Sequence, residues 1–212
     1  MHIVITGANR GIGKALADGY RADGHQVTGT ARDGSEAVTL DVTKTGDHQA
    51  MAAQLADQPV DMLICNAGVY LDKGMGIDDY PAEIWAQSFA ANVTGVFLTV
   101  QALLPNLRAA KGRIAIISSQ MASHTRAPGG SYIYRSSKAA VLNLGRNLAT
   151  DLKGEGIAVG IYHPGWVSTD MGGAAADIGV EEAVTGLSAR FDELSLESTG
   201  CFRTWDGRDH AY

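Results

Sequence analysis

An apolar run, His2–Thr6 (HIVIT), passes directly into Gly7-Ala8-Asn9-Arg10-Gly11-Ile12-Gly13, and a helical pattern follows over residues 11–23. A buried strand that turns into a helix within a few residues needs glycine. Only glycine takes the unusual φ/ψ angles cheaply and lets backbone approach a ligand closely. The helix that follows presents unpaired N–H groups and the positive end of its dipole, a natural seat for a pyrophosphate. The spacing G-x-x-x-G-x-G differs from the G-x-G-x-x-G of many dinucleotide sites. It is not a nucleoside-triphosphate loop either, because Ala8 stands where the first Gly is needed and Ala15 follows Gly13-Lys14 where Ser or Thr is needed. A tight strand–helix turn with no ligand would use the same glycines, but the strand–loop–helix context favours a dinucleotide.

The rest of the chain repeats that alternation. Strand-like runs fall at residues 26–30, 37–40, 61–65, 113–118, 157–162 and, more weakly, 200–204. Helical stretches fall at 47–56, 83–110 (with a bend expected near Asn92), 132–152 and 181–194. Strands that are apolar throughout are buried on both faces, as in a parallel sheet covered by helices. The alternation implies right-handed βαβ units and a doubly wound α/β fold. A chain of 212 residues without a linker or repeat suits a single domain, residues 1–212.

Several classes drop out. The formal net charge of −6 disfavours a nucleic-acid binder, which would show a basic surface. Two cysteines cannot form a disulfide framework. The histidines at 2, 25, 48, 124, 163 and 210 show no ligand spacing, so no metal site is expected. No apolar run of about 18 residues is apparent, so no membrane partner is expected. The N-terminal run reads as a strand rather than a secretory leader, which makes the cytoplasm the expected location.

Four motifs then occur in order: Thr6-Gly7-x-x-x-Gly11-x-Gly13, Asn66-Ala67-Gly68, Tyr134-x-x-x-Lys138 and Pro164-Gly165. Together they resemble the short-chain dehydrogenase/reductase family, over nearly the whole chain. The ending GCFRTWDG (residues 200–207) resembles a compact subgroup of carbonyl-reductase-like and cell-signalling-factor-like members. The resemblance implies a Rossmann-type sheet of seven parallel strands, order 3-2-1-4-5-6-7, with helices on both faces. It also implies a nicotinamide cofactor and an oxidoreductase that interconverts carbonyl and alcohol. The alternative is a non-enzymatic nucleotide sensor or signalling protein on the same fold.

The chemistry explains the Tyr–Lys pair. Residues four apart on a helix share one face. A phenol with its ordinary pKa of about 10 is a poor base near neutrality, and a nearby ammonium should lower it. By resemblance, Lys138 also holds ribose hydroxyls. Ser118, Ser119 and Ser123 all follow the fifth strand; the resemblance selects Ser119 to orient the carbonyl, with Ser123 as its rival. Asn92 matches the family's helix-bending Asn, a poor residue for a helix interior. The resemblance gives it a water that links Lys138 to solvent.

The cofactor's adenosine end is read from the second strand. An acidic residue at its end would bind the 2′-OH of NAD and repel a 2′-phosphate. Ala31 stands there instead, followed by Arg32, and Arg10 lies in the glycine loop. Two guanidinium groups converging on one point suit a phosphate dianion, so NADP(H) is expected over NAD(H). Asp33, one residue on, keeps NAD(H) open. By resemblance, Asp41 and Val42 meet the adenine. Gly7, Asn9, Gly11, Ile12, Gly13, Asn66, Ala67 and Gly68 line the dinucleotide, while Pro164, Gly165, Val167 and Thr169 sit beside the nicotinamide. Tyr70, Met121, Trp166 and Met171 are expected to wall a pocket for an apolar or aromatic small-molecule substrate. The family's habit of pairing through the long helices at 83–110 and 132–152 suggests a homodimer or homotetramer.

Overall fold

The computed structural model describes residues 1–212. Seven parallel strands form one sheet: β1 (His2–Thr6), β2 (Gln26–Ala31), β3 (Val38–Thr39), β4 (Met62–Cys65), β5 (Arg113–Ile117), β6 (Ala158–His163) and β7 (Phe202–Thr204), in the order β3-β2-β1-β4-β5-β6-β7. The central register sets Ile5 against both Gly29 and Ile64, and Ile116 against Ile161.

Alternation along each strand feeds two separate cores. Ile3, Ile5, Met62 and Ile64 point to one face, where α1 (Gly11–Ala22) and α6 (Val180–Asp192) cover them with Leu16, Tyr20, Leu187 and Phe191. Val4, Leu63 and Cys65 point to the other. There α2 (Thr45–Leu55), α4 (Gly95–Ala110) and α5 (Tyr132–Lys153) contribute Met51, Leu103, Leu107 and Val141. Ile3, Ile5, Leu63 and Ile64 are wholly buried, and each such side chain contributes about 1.5–3 kcal/mol of transfer free energy. This is why those strands read as continuous apolar runs.

The structure differs from expectation in three places. The third strand shortens to two residues, because it is an edge with only β2 as neighbour. The long helix at 83–110 is two α-helices, α3 (Ala82–Phe89) and α4, joined by a π turn at Ala90–Thr94 that contains Asn92. A π turn widens the helix by one residue, the kind of local irregularity that bends it. Finally, Ala82–Ala110 is long and apolar enough by composition to cross a membrane, with an 18-residue mean hydropathy of 1.3. Here it packs into the fold, with Val96, Val100, Leu103 and Leu107 in the core.

Candidate active site

All strands run the same way, so the loops after β1, β4, β5 and β6 emerge along one edge of the sheet, where open α/β sheets bind ligands. The glycine loop is the most tightly built of them. Gly7 and Gly11 lie in the left-handed region at φ +67° and +54°. A Cβ on Gly13 would stand 2.2 Å from the Gly7 carbonyl oxygen and 2.4 Å from Asn66 Nδ2. Asn66 ties the first and fourth strands together: its Nδ2 donates to the Thr6 and Gly7 carbonyls at 3.0 and 3.1 Å. Thr6 Oγ1 accepts from the N–H groups of Asn66 and Ala67. The N-terminus of α1 has no side-chain cap and no acidic residue in its first turn. Its backbone donors therefore remain for an anion, and these residues fit the pyrophosphate of a nicotinamide dinucleotide.

At the adenosine end, Ala31 closes β2 and Arg32 is exposed beyond it. Asp41 accepts from the N–H and hydroxyl of Thr43 at 3.0 and 2.7 Å. Those bonds hold its carboxyl below the usual range, and the charges of Lys44 and Arg32 add to them. The expected convergence of Arg10 and Arg32 is not found. Arg10 instead reaches across the crevice to Asp170 at 3.2 Å, a pair with both partners mostly exposed. A free guanidinium at the loop's rim takes the nearest carboxylate, and Asp170 on the loop after β6 is that carboxylate. Asp33 turns to Ser35 and Asn9.

Several of the residues expected at the catalytic and substrate sites line one cavity of about 300 Å³. Ile12 of the glycine loop, Ser119, Tyr134 and the Pro164–Val167 loop line it, and so do Tyr70, Met121, Trp166, Thr169 and Met171. Ser119 Oγ accepts from Met121 N–H at 3.1 Å, and Ser119 stands near enough to the Tyr134 phenol to favour its ionised form. Ser123 does not line this cavity; its hydroxyl bonds Thr125 and the Tyr212 carbonyl. Lys138 Nζ lies 5.6 Å from the Tyr134 ring centre and donates to the Ile117 carbonyl at 3.0 Å. Asn92 acts as a clamp. Its Nδ2 donates to the Val69 carbonyl and to Ser137 Oγ, and its Oδ1 accepts from Val69 N–H. Gly68 fits between Asn92 and Lys138, where an added Cβ would lie 3.1 Å from Asn92 Oδ1.

Residues 1–177 match the family described as short chain dehydrogenase. The chain belongs to that family. It is 40% identical over 164 residues to the C-signal of Myxococcus xanthus, covering 76% of this chain and 98% of that protein. It is 30% identical over 221 residues to 1-hydroxy-2-glutathionyl-2-methyl-3-butene dehydrogenase of Rhodococcus sp. (strain AD45), covering 97% and 96%. Among solved structures, the NADPH-bound carbonyl reductase from chicken fatty liver superposes with a TM-score of 0.90 at 30% identity, covering 100% of this chain and 98% of that one.

As a short-chain dehydrogenase/reductase, the protein is an oxidoreductase whose site electrostatics depart from the sequence expectation in one respect. Burial pushes the Tyr134 phenol above its ordinary value; Ser119 opposes this, and the charges of Tyr70 and Asp72 add to it. Burial acts on the neighbouring ammonium as well, lowering the pKa of Lys138 to about 8. Burial also lowers His163, at the end of β6, to about 4, and His210 and Arg126 add to the effect. His163 Nδ1 accepts from Gly165 N–H at 3.4 Å, so this histidine is a neutral hinge for the Pro164-Gly165 turn. Sequence reading missed His163, Lys73, Gln120 and Asp72. His163 could have been found from its place before Pro164-Gly165. Asp72 carries no local signal.

Proposed function

We propose that the enzyme reduces the carbonyl of a small apolar or aromatic compound to an alcohol, or runs the reverse reaction, with NADP(H) as the preferred cofactor. The observation that carries this reading is the cavity itself, where Ser119 and the Tyr134 phenol stand in one wall with Ile12 and the Pro164–Val167 loop. A bound nicotinamide supplies or accepts the hydride. Ser119 orients the substrate oxygen. Tyr134 delivers a proton to it; burial keeps the phenol protonated in the resting site, the form the reducing direction needs. Lys138 uses one of its three ammonium donors on Ile117. The other two are available to ribose hydroxyls, and the charge stabilises the phenolate left when Tyr134 has given up its proton. Asn92 holds the Val69 turn against α5 and, by family resemblance, a relay water.

NADP(H) preference is supported by Ala31, which puts no carboxylate at the end of β2, by the exposed Arg32 beside it, and by the NADPH carried by the chicken carbonyl reductase. Asp33 is drawn aside by Ser35 and Asn9. The enzyme is proposed to work in the cytoplasm as a homodimer or homotetramer paired through α3–α4 and α5, where Phe97 is exposed. A second reading, a signalling role on this fold, is favoured by the likeness to C-signal. A carbonyl panel followed by NADPH absorbance, with Tyr134→Phe as control, tests the first. Turnover that vanishes in Tyr134→Phe while NADPH still binds supports it. Equal rates for the two proteins refute it.

A further inference from the structure

One buried charge near the site takes no part in the proposed hydride and proton transfer. Asp72 lies in the loop after β4 and is wholly buried. No lysine, arginine or histidine pairs with it. Its partners are backbone: Ile133 N–H at 2.9 Å, and Tyr134 N–H at 3.2 and 3.3 Å from its two oxygens. Both donors belong to the first turn of α5. The residue just before the helix, Ser131, sits in the left-handed region at φ +49° and its side chain makes no cap. Its hydroxyl bonds the Tyr70 phenol at 2.5 Å instead. The cap is therefore supplied from 61 residues away.

The loop that delivers it is held at three points. Asn92 binds both backbone groups of Val69. The Tyr70 ring stacks on the Tyr134 ring at 4.2 Å and 20°. Asp72 then closes onto the backbone of Tyr134 itself. A helix cap does not require charge, since Ser, Thr and Asn serve as well. Burying an unpaired carboxylate is costly, so a neutral cap would be the less expensive solution for folding alone.

We propose that Asp72 is a positioning residue for Tyr134: its carboxylate pins the first turn of α5 and fixes where the phenol stands in the cavity. The same charge opposes ionisation of that phenol. The inference rests on the reading of Tyr134 as proton carrier. The titratable groups around the phenol are Lys138 on α5, Tyr70, Asp72 and Lys73 on the loop after β4, and His163 at the end of β6. After burial and Ser119, Tyr70 and Asp72 are the charges that act on it, both upward.

Asp72→Asn keeps shape and a hydrogen-bond acceptor but removes the charge, which separates the two roles. The readout is the tyrosinate absorbance of the phenol, taken as the difference between each protein and its Tyr134→Phe counterpart, together with kcat, KM and their pH profiles. Asp72→Asn is expected to shift the Tyr134 titration to lower pH by about half a pH unit. The alkaline limb of carbonyl reduction should follow it, with kcat down about tenfold and the NADPH KM unchanged. A folded Asp72→Asn protein with wild-type phenol titration and wild-type pH profile overturns the proposal. If that variant fails to fold, Asp72→Ser, a shorter neutral cap, takes the same measurements. Should the wild-type enzyme reduce no carbonyl, the proposed function falls, while the absorbance titration still decides the role of Asp72.

Discussion

Lys138 offers the sharpest test of the site's physics, because its burial can be read as stability. The ammonium lies among the ends of β4, β5 and the π turn, is 5% exposed, and has a pKa that falls from 10.5 to about 8 through desolvation. At 1.36 kcal/mol per pH unit, that fall corresponds to about 3 kcal/mol of instability when the side chain is charged. The sign follows from linkage: between pH 8 and 10.5 the unfolded chain binds the proton that the folded chain has released, so stability rises with pH across that window. The penalty is fully present below the folded value and gone above the unfolded one. Lys138→Met removes the titration and leaves the Ile117 carbonyl without its donor, a pH-independent cost of about 1–3 kcal/mol. Urea unfolding of both proteins at pH 7, 8, 9 and 10 isolates the effect, because other groups cancel in the difference. The unfolding free energy of wild type minus that of Lys138→Met should climb by about 2–3 kcal/mol from pH 7 to 10. A flat difference would refute the claim that this lysine is buried as a strained cation.

Other outcomes follow from single contacts. Ser119→Ala should lower kcat for carbonyl reduction by about 10²–10³, whereas Ser123→Ala, outside the cavity, should stay within about twofold; steady-state assays on the two variants compare them directly. Gly13→Ala would drive a methyl into the Gly7 carbonyl oxygen, so urea denaturation should show a loss of about 3 kcal/mol or more. Arg32→Ala should weaken NADPH about tenfold in a fluorescence titration and leave NADH nearly unchanged. Equal losses for both cofactors would remove the 2′-phosphate argument.

How much of this was legible in the chain depended on the range of the interaction. Strands buried on both faces write themselves as apolar runs, so β1, β4, β5 and β6 were read within a residue or two. The bend at Asn92 was visible because Asn is a poor interior helix residue. Its π geometry was not visible, since that depends on Asn92 reaching Val69 and Ser137. The choice between Ser119 and Ser123 lay beyond local pattern, as both follow β5. Only the packing of α5 brings one of them to Tyr134. The pairing of Arg10 with Asp170 failed to be foreseen for the same reason, with 160 residues between them. Asp72 is the extreme case, a cap for a helix that begins 60 residues later.

These long-range contacts share a consequence. Tyr134 is reached by Ser119 from β5, by Tyr70 and Asp72 from the loop after β4, and by Lys138 from its own helix. Asn92 joins that same loop to Ser137 of α5, one residue from Lys138. Groups bound into one network do not contribute independently, so their effects on substitution should not add. The network also takes a buried cation, a buried carboxylate and a buried phenol out of water together, each at a cost that folding alone does not require. Two rigid supports, the strand ends and the first turn of α5, make that arrangement sustainable. The sheet's apolar faces provide the stability against which these groups are held. The site's chemistry therefore draws on the same strand burial that made the fold readable from its first six residues.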